Sequence, residues 1–521
     1  MLAIIGTDAD QTDGTMHKGL DGGDHEGASS GVPGGRQYTT RSRRHQQSLP
    51  GPDARARTAT DVDYPGPMPI NVLVIVIDQL RRDGLGCYGD PITRTPAMDA
   101  LAARGTRFTN CISTHPLCSP WRASLQTGRY AWHHGVQANN QRIDTSLPSL
   151  ATIAQADSRH TAFFGKAHWW DSGKPGFYPP QARLGYQSWW GYNRGHFHWD
   201  TPDFDDHGRL THAYAGHYEP TVATDRALDF IQAQAARPWL LCLNYGPPHN
   251  ATLDAAYADG RTQDRIRRMV RARAWPIDDR ILAATGDDDP PLVSHVPQHL
   301  VDRLVPEPCL GLYREDDFPD RSDIPASERA LTAAMRREYS AMTTSVDDEI
   351  GRLLADIDLD RTLVVVTADH GDHLGAHGRR RGKASHLQAA WRTPLLMAGP
   401  GLAAGTVDQR LIGAIDLLPT ICALAGLNPP PGLPGRDLAH QRHQALIGLG
   451  TWRALVTPHH CLAAQHGPKG WQPLQLSDLD QDPWDLHDRR EAEPALTAEL
   501  QQELLARLQE AGDPLGMSEI A

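Results

Sequence analysis

The run Asn71-Val72-Leu73-Val74-Ile75-Val76-Ile77 is an almost unbroken stretch of β-branched and aliphatic residues, the pattern of a strand buried on both faces of a parallel sheet. Further apolar runs stand at Thr161 to Phe164, Trp239 to Tyr245, Thr362 to Thr367 and Pro394 to Ala398. These five are predicted to form a sheet core. Between them, Thr95 to Gly105, Val222 to Gln234 and Glu338 to Ile357 carry apolar positions at helical spacing. The alternation predicts an α/β fold with a large, mostly parallel central sheet flanked by helices.

The edges of this pattern set the domains. Residues 1–67 are rich in Gly, Asp, Thr, Arg and His without periodicity, which predicts a disordered tail, with Met68 a candidate true start. The Pro- and Gly-rich stretch Asn428 to Gly435 can continue neither a helix nor a central strand. It closes a catalytic domain at 68–428 and opens a smaller C-terminal α+β subdomain at 429–521. In that subdomain Arg453 to Val456, Cys461 to Ala464 and Pro473 to Leu476 read as a short antiparallel sheet, followed by an amphipathic helix from about Pro494 to Gln509. The intervals Trp169 to Gly216 and Ala251 to Asp323 read as insertions that shape a pocket. Within the first, Trp189-Trp190-Gly191-Tyr192 suits either ring stacking on a ligand or a place in the core.

Each of the first four predicted strands runs out into polar residues. The first ends in Asp78-Gln79, the second in Gly165-Lys166-Ala167-His168, the third in Pro247-Pro248-His249 and the fourth in Asp369-His370-Gly371. Ligands of open α/β sheets sit beyond the carboxyl ends of the strands, so these groups are expected at one rim. Asp78, Asp369 and His370, with Gln79 as a weaker oxygen donor, suit a divalent cation such as Ca²⁺, Mg²⁺ or Mn²⁺. Cys118-Ser119-Pro120-Trp121-Arg122 runs into a short predicted helix, which places Cys118 at an electropositive helix N-terminus with Arg122 able to orient it. Taken singly, each has a plainer reading. Cys118 is then a small buried hydrophobe, the aspartates are helix caps, His249 is a turn residue, and Lys383 belongs to a solvated basic loop after Arg379-Arg380-Arg381. Their joint order along the strands favours a site.

The same residues resemble a known family. The pentapeptide with Thr127-Gly128-Arg129, together with Gly86-Cys87-Tyr88-Gly89, Leu101-Ala102-Ala103-Arg104-Gly105, Ser345-Val346-Asp347-Asp348, Asp369-His370-Gly371-Asp372 and Asp416-Leu417-Leu418-Pro419-Thr420, is similar to sulfatases of the alkaline phosphatase superfamily across about 70 to 490. The resemblance implies an alkaline-phosphatase-like fold and hydrolysis of sulfate esters, with one divalent metal, usually calcium. It implies that Cys118 is oxidised by a formylglycine-generating enzyme to formylglycine (3-oxoalanine), whose hydrate is the nucleophile and also touches the metal. Asp78, Gln79, Asp369 and His370 would be the metal ligands, Arg122 would position the nucleophile, and Lys166 and His168 would hold the hydrate and the sulfate oxygens. His249 and Lys383 would neutralise or protonate the leaving oxygen. The implied substrate is a sulfated small molecule or carbohydrate. Two departures bear on this. Trp121 stands where serine is commonest, and the Gln79/His370 pair also occurs in related phosphonate monoester hydrolases and phosphodiesterases, whereas Lys166 and His168 favour sulfate. A non-catalytic binder of anionic glycans is the reading from another class.

Composition narrows the picture. In 521 residues, 40% hydrophobic and 22% charged, the formal net charge is −12, which argues against nucleic acid as a partner. The seven cysteines show no CxxC pairs, so neither a zinc cluster nor a disulfide framework is expected. No apolar run approaches the roughly 18 residues of a bilayer span, and no signal peptide is visible, so the expectation is a cytoplasmic protein without membrane attachment. Oligomeric state is not legible.

Overall fold

Every residue from Val72 to Ile77 is sealed from solvent, which puts β1 (Asn71–Ile77) deep inside an eight-stranded sheet. The computed structural model describes residues 69–249, 305–440 and 443–517, apart from 173–175, 197, 206, 212 and 380. The tail expected at 1–67, and most of the insertion expected at 251–323, lie outside the described residues. Around β1 the sheet comprises β2 (Thr106–Ile112), β3 (His160–Lys166), β4 (Ser188–Tyr192), β7 (Trp239–Tyr245), β8 (Thr362–Ala368), β9 (Arg392–Ala398) and β10 (Thr406–Gly413), in the order β10-β2-β9-β8-β1-β7-β3-β4. Within it only β9 runs antiparallel to its neighbours. The sheet is mixed and mostly parallel, as the alternating pattern predicts.

Alternation along β1 explains the layers. Val72, Val74 and Val76 face one core, shared with the helices Cys118–Thr127, Leu150–Ala156 and Ala414–Ala425; Leu73, Ile75 and Ile77 face the other, under Pro96–Arg104, Glu219–Ala233 and Arg329–Leu354. Each such side chain, removed wholly from water, contributes about 1.5–3 kcal/mol. The five apolar runs are all strands. β2, β4 and β10 lie outside that expectation because they do not read as apolar runs: Thr106-Arg107-Phe108-Thr109-Asn110 alternates, and edge strand β10 leaves Val407 exposed. The helix expected from Glu338 begins at Arg329, its first turns burying Thr332 and Met335 beside Leu374 rather than against the sheet. The aromatic run of β4 takes the core role. Trp190 and Tyr192 are buried, and Trp189 stacks on Phe163 at 4.8 Å.

A hairpin of β5 (Trp199–Thr201) and β6 (Tyr214–Tyr218) comes after β4 in the chain. After the Pro-rich stretch, β11 (Ala445–Leu449), β12 (Trp452–Val456), β13 (His460–Gly467) and β14 (Gly470–Asp478) form an antiparallel meander. The Pro494–Glu510 helix covers it with Leu500, Leu504 and Leu508, one apolar stripe at i, i+4 spacing. Among the described residues no helix is long and apolar enough to cross a membrane. The seven cysteines are unpaired.

Candidate active site

Register decides what meets at the rim. Ile77 of β1 lies opposite both Ala368 of β8 and Tyr245 of β7, and Gly165 of β3 lies opposite Asn244 of β7. Asp78, Asp369, Lys166 and the Gly246-Pro247-Pro248-His249 turn therefore leave parallel strands side by side. β2 runs in the same direction and delivers the Cys118–Thr127 helix to the same rim. Pro120 fits the first turn of that helix, where a missing N–H costs nothing, and Gly128 ends it at φ 65, a left-handed cap that favours glycine.

The result is a buried cluster. One ligand atom each from Asp78, Cys118, Asp369 and His370 lies within 4.8 Å of the others. Cys118 Sγ is 3.1 Å from His370 Nε2 and 3.9 Å from Asp78 Oδ1. His370 Nδ1 lies 2.9 Å from the Gly371 carbonyl, a contact that places the proton on Nδ1 and turns the Nε2 lone pair toward the cluster. Two carboxylates, an imidazole nitrogen and position 118 form a donor set that fits one divalent cation.

Arg122, one helical turn after Cys118, ties the cluster together. Its guanidinium donates to Asp369 Oδ2 at 3.1 Å, Asp78 Oδ2 at 3.1 Å, the Lys166 carbonyl at 2.7 Å and Asn244 Oδ1 at 2.8 Å. Arg122 thus meets the cluster through its two carboxylates. Lys166 Nζ adds a bond to Asp78 Oδ2 at 2.8 Å. Burial alone would raise the Asp78 carboxyl, but Lys166, His249, Arg122 and His370 hold it well below the usual carboxylate range.

Gln79, at φ 65, donates its backbone N–H to Asp369 Oδ1 and its Nε2 to Asp372 Oδ2 at 2.8 Å, while its Oε1 faces Lys383 Nζ at 3.4 Å. Lys383 also lies 2.8 Å from His249 Nε2. His168 is buried, and neither ring nitrogen makes a hydrogen bond among the described residues. Burial, with Lys166 and Arg122 close by, keeps it neutral, its pKa well below the ordinary histidine value.

Three residues at the site carried weaker signals in the sequence. Asn244 is a lone amide in an otherwise apolar strand, which signals a buried partner. Asp372 closes the Asp-His-Gly-Asp run and receives Gln79, Arg381 and the Gly382 amide. His196, from the histidine-rich first insertion, stacks on His249.

The chain is 27% identical over 377 residues to an ulvan-active sulfatase of Formosa agariphila, a match covering 70% of this chain and 63% of that relative, so it spans less than two thirds of that protein's length. A Bacteroides thetaiotaomicron structure from work on glycosaminoglycan metabolism superposes with a TM-score of 0.70 at 20% identity, covering 87% of this chain and 99% of that one. The phosphonate monoester hydrolase of Silicibacter pomeroyi superposes with a TM-score of 0.60 at 22% identity, covering 86% and 96%; both likenesses establish the alkaline-phosphatase-like fold. The Sulfatase family model matches residues 70–427, a span that contains every residue of the cluster, and the chain therefore belongs to the sulfatase family.

Proposed function

We propose that this protein hydrolyses a sulfate monoester to an alcohol and inorganic sulfate, using formylglycine made from Cys118 and one divalent cation. The observation that carries the reading is Cys118 Sγ lying 3.1 Å from His370 Nε2 inside a cluster with Asp78 and Asp369. A buried cysteine against two buried carboxylates has no packing rationale and a clear chemical one. Asp78, Asp369, His370 and the Gln79 amide would hold the cation, which supplies charge compensation for sulfuryl oxygens. Hard oxygen donors favour Ca²⁺, with Mg²⁺ or Mn²⁺ compatible. The aldehyde hydrate at position 118 would supply one hydroxyl as nucleophile, whose proton balances the one taken up by the departing alcohol, and a second whose deprotonation would expel sulfate and restore the aldehyde for rehydration by water.

The chain's own residues do the rest. Lys166 brings a buried positive charge to the sulfuryl oxygens, where a low-dielectric setting strengthens it. His168, neutral and with both nitrogens unengaged, accepts the proton from the second hydroxyl. His249 and Lys383, hydrogen-bonded across 2.8 Å, would deliver a proton to the ester oxygen as the S–O bond breaks. The partners of this reading are a sulfated small molecule or carbohydrate and, during maturation, a formylglycine-generating enzyme.

Hydrolysis of a phosphonate monoester or phosphodiester is the second reading, favoured by the Gln79/His370 pair. Parallel assays with an aryl sulfate and an aryl phosphodiester separate the two. Faster turnover of the sulfate is expected, and turnover of the phosphodiester alone would reverse the order. A non-catalytic glycan binder would retain the Cys118 thiol.

A further inference from the structure

His196 has no part in the proposed reaction, yet it touches three residues that do. Its Nε2 lies 3.3 Å from Lys166 Nζ and its Nδ1 4.0 Å from Asp78 Oδ2. Its ring lies flat on that of His249, with centroids 3.3 Å apart and planes 6° from parallel. Lysine only donates, so His196 Nε2 is the acceptor of that bond. Two residues on, His198 Nε2 lies 2.8 Å from the His249 carbonyl. The His249 amide donates to the carbonyls of Asp78 and Gly246, each at 3.2 Å. The ring and backbone of His249 are thus held on one side by the segment after β4, and Nε2 is turned to Lys383.

Asp78, His196 and His249 could by residue type hold a second metal ion. The Lys166 ammonium already sits against two of the three, 2.8 Å from Asp78 Oδ2 and 3.3 Å from His196 Nε2, and its charge disfavours another cation there. A face-to-face stack is also not the arrangement that rings adopt by preference. Hydrogen bonds from His198 and to the Asp78 and Gly246 carbonyls hold the His249 backbone beneath it.

We propose that His196 is a positioning residue that fixes His249 and Lys166 relative to each other, so that the His249–Lys383 pair meets the leaving oxygen at the moment the bond to sulfur breaks. The inference rests on the hydrolase reading and deepens it. The proton passes from the pair to the ester oxygen, which departs as the alcohol, and solvent restores it before the next turnover. Misplacement of the donor costs most where the leaving group depends on the proton, and least where the departing anion is stable by itself.

The test is a leaving-group series from 4-nitrophenyl to 4-methoxyphenyl sulfate, with aryl phosphodiesters of the same phenols run in parallel, on maturated wild type, His196→Ala and His196→Phe. For His196→Ala, kcat on the poorest leaving group is expected to fall about 100-fold or more, and on 4-nitrophenyl about 10-fold or less, with KM little changed. His196→Phe retains a flat ring on His249 but cannot accept from Lys166, so it should recover most of the leaving-group dependence while a loss uniform across the series remains. Equal losses across the series in folded, metal-replete His196→Ala, or no loss at all, would overturn the proposal. A wild type that turns over only the phosphodiesters would instead overturn the sulfate reading, and the slope comparison then runs on that series. Inactivity toward both sets would overturn both.

Discussion

The Arg122 guanidinium lies 3.0 Å from Asp369 Oδ2 and 3.1 Å from Asp78 Oδ2, with all three side chains essentially withdrawn from solvent. A single cation therefore bridges the carboxylates that end β1 and β8. Asp369 and Asp78 raise the guanidinium's pKa further despite burial, so the charge is permanent.

Removing it leaves two carboxylates in a low-dielectric pocket with one fewer partner. Arg122→Gln is expected to lower stability by about 3–5 kcal/mol without divalent cation, and added Ca²⁺ should restore more of the melting temperature in the variant than in wild type. Equal melting temperatures for variant and wild type under chelation would contradict the bridging role.

Asp369→Asn should lower metal content and kcat together, because a charged oxygen donor becomes a neutral one. Elemental analysis of protein dialysed against chelator and then reloaded measures the first, and initial rates the second. Unchanged metal content would remove Asp369 from the ligand set.

Asp347 predicts the opposite kind of behaviour. Its carboxylate accepts the Ala97 amide at 2.9 Å and the Met98 amide at 2.8 Å, capping the Pro96–Arg104 helix from the long Arg329–Leu354 helix. Asp347→Ala should cost about 2–3 kcal/mol through two buried amides left unpaired, with kcat on an aryl sulfate nearly unchanged in the folded fraction. Denaturant titration and rates at low temperature check the pair.

Glu219 sets a pH dependence of stability. Burial pushes its carboxyl up to about 8, against the lowering effect of the Gly246 amide, and its Oε1 has no hydrogen-bond partner among the described residues. The folded pKa lies above the unfolded value, so the fold favours the protonated acid. Its stabilisation is complete below the ordinary carboxylate range and is lost as pH rises through about 8. Glu219→Gln mimics the protonated acid and removes this slope. Between pH 6 and 9 wild type should lose on the order of 2–3 kcal/mol more than the variant, seen by urea unfolding; parallel pH profiles would show that Glu219 does not titrate in that range.

Much of this was legible in the sequence, for a physical reason. Strands buried on both faces must be apolar throughout, so Asn71 to Ile77 and Thr362 to Thr367 declare themselves, and the polar residues that follow them mark the rim. Strands with a polar face do not declare themselves, and β2 and β10 were hidden for that reason. Residue type singled out Asp78, Asp369 and His370, which the fold brings together, but not that Arg122 would bridge the two carboxylates, since its partners lie 44 and 247 positions away. His196 was least legible. Nothing in a histidine-rich insertion tells which imidazole lies flat on His249, because that depends on how β4 and the hairpin after it fold back over the rim.

The proposed mechanism makes turnover depend on an oxidised side chain at position 118. This dependence is tested most directly by peptide mass spectrometry of the segment containing Cys118, paired with sulfate release, on preparations made with graded amounts of the maturation enzyme. Conversion lowers the peptide mass by about 18 Da, the difference between a thiol side chain and an aldehyde. A rate proportional to the converted fraction is predicted, and zero for Cys118→Ala. Full activity in protein whose Cys118 remains a thiol would contradict the mechanism.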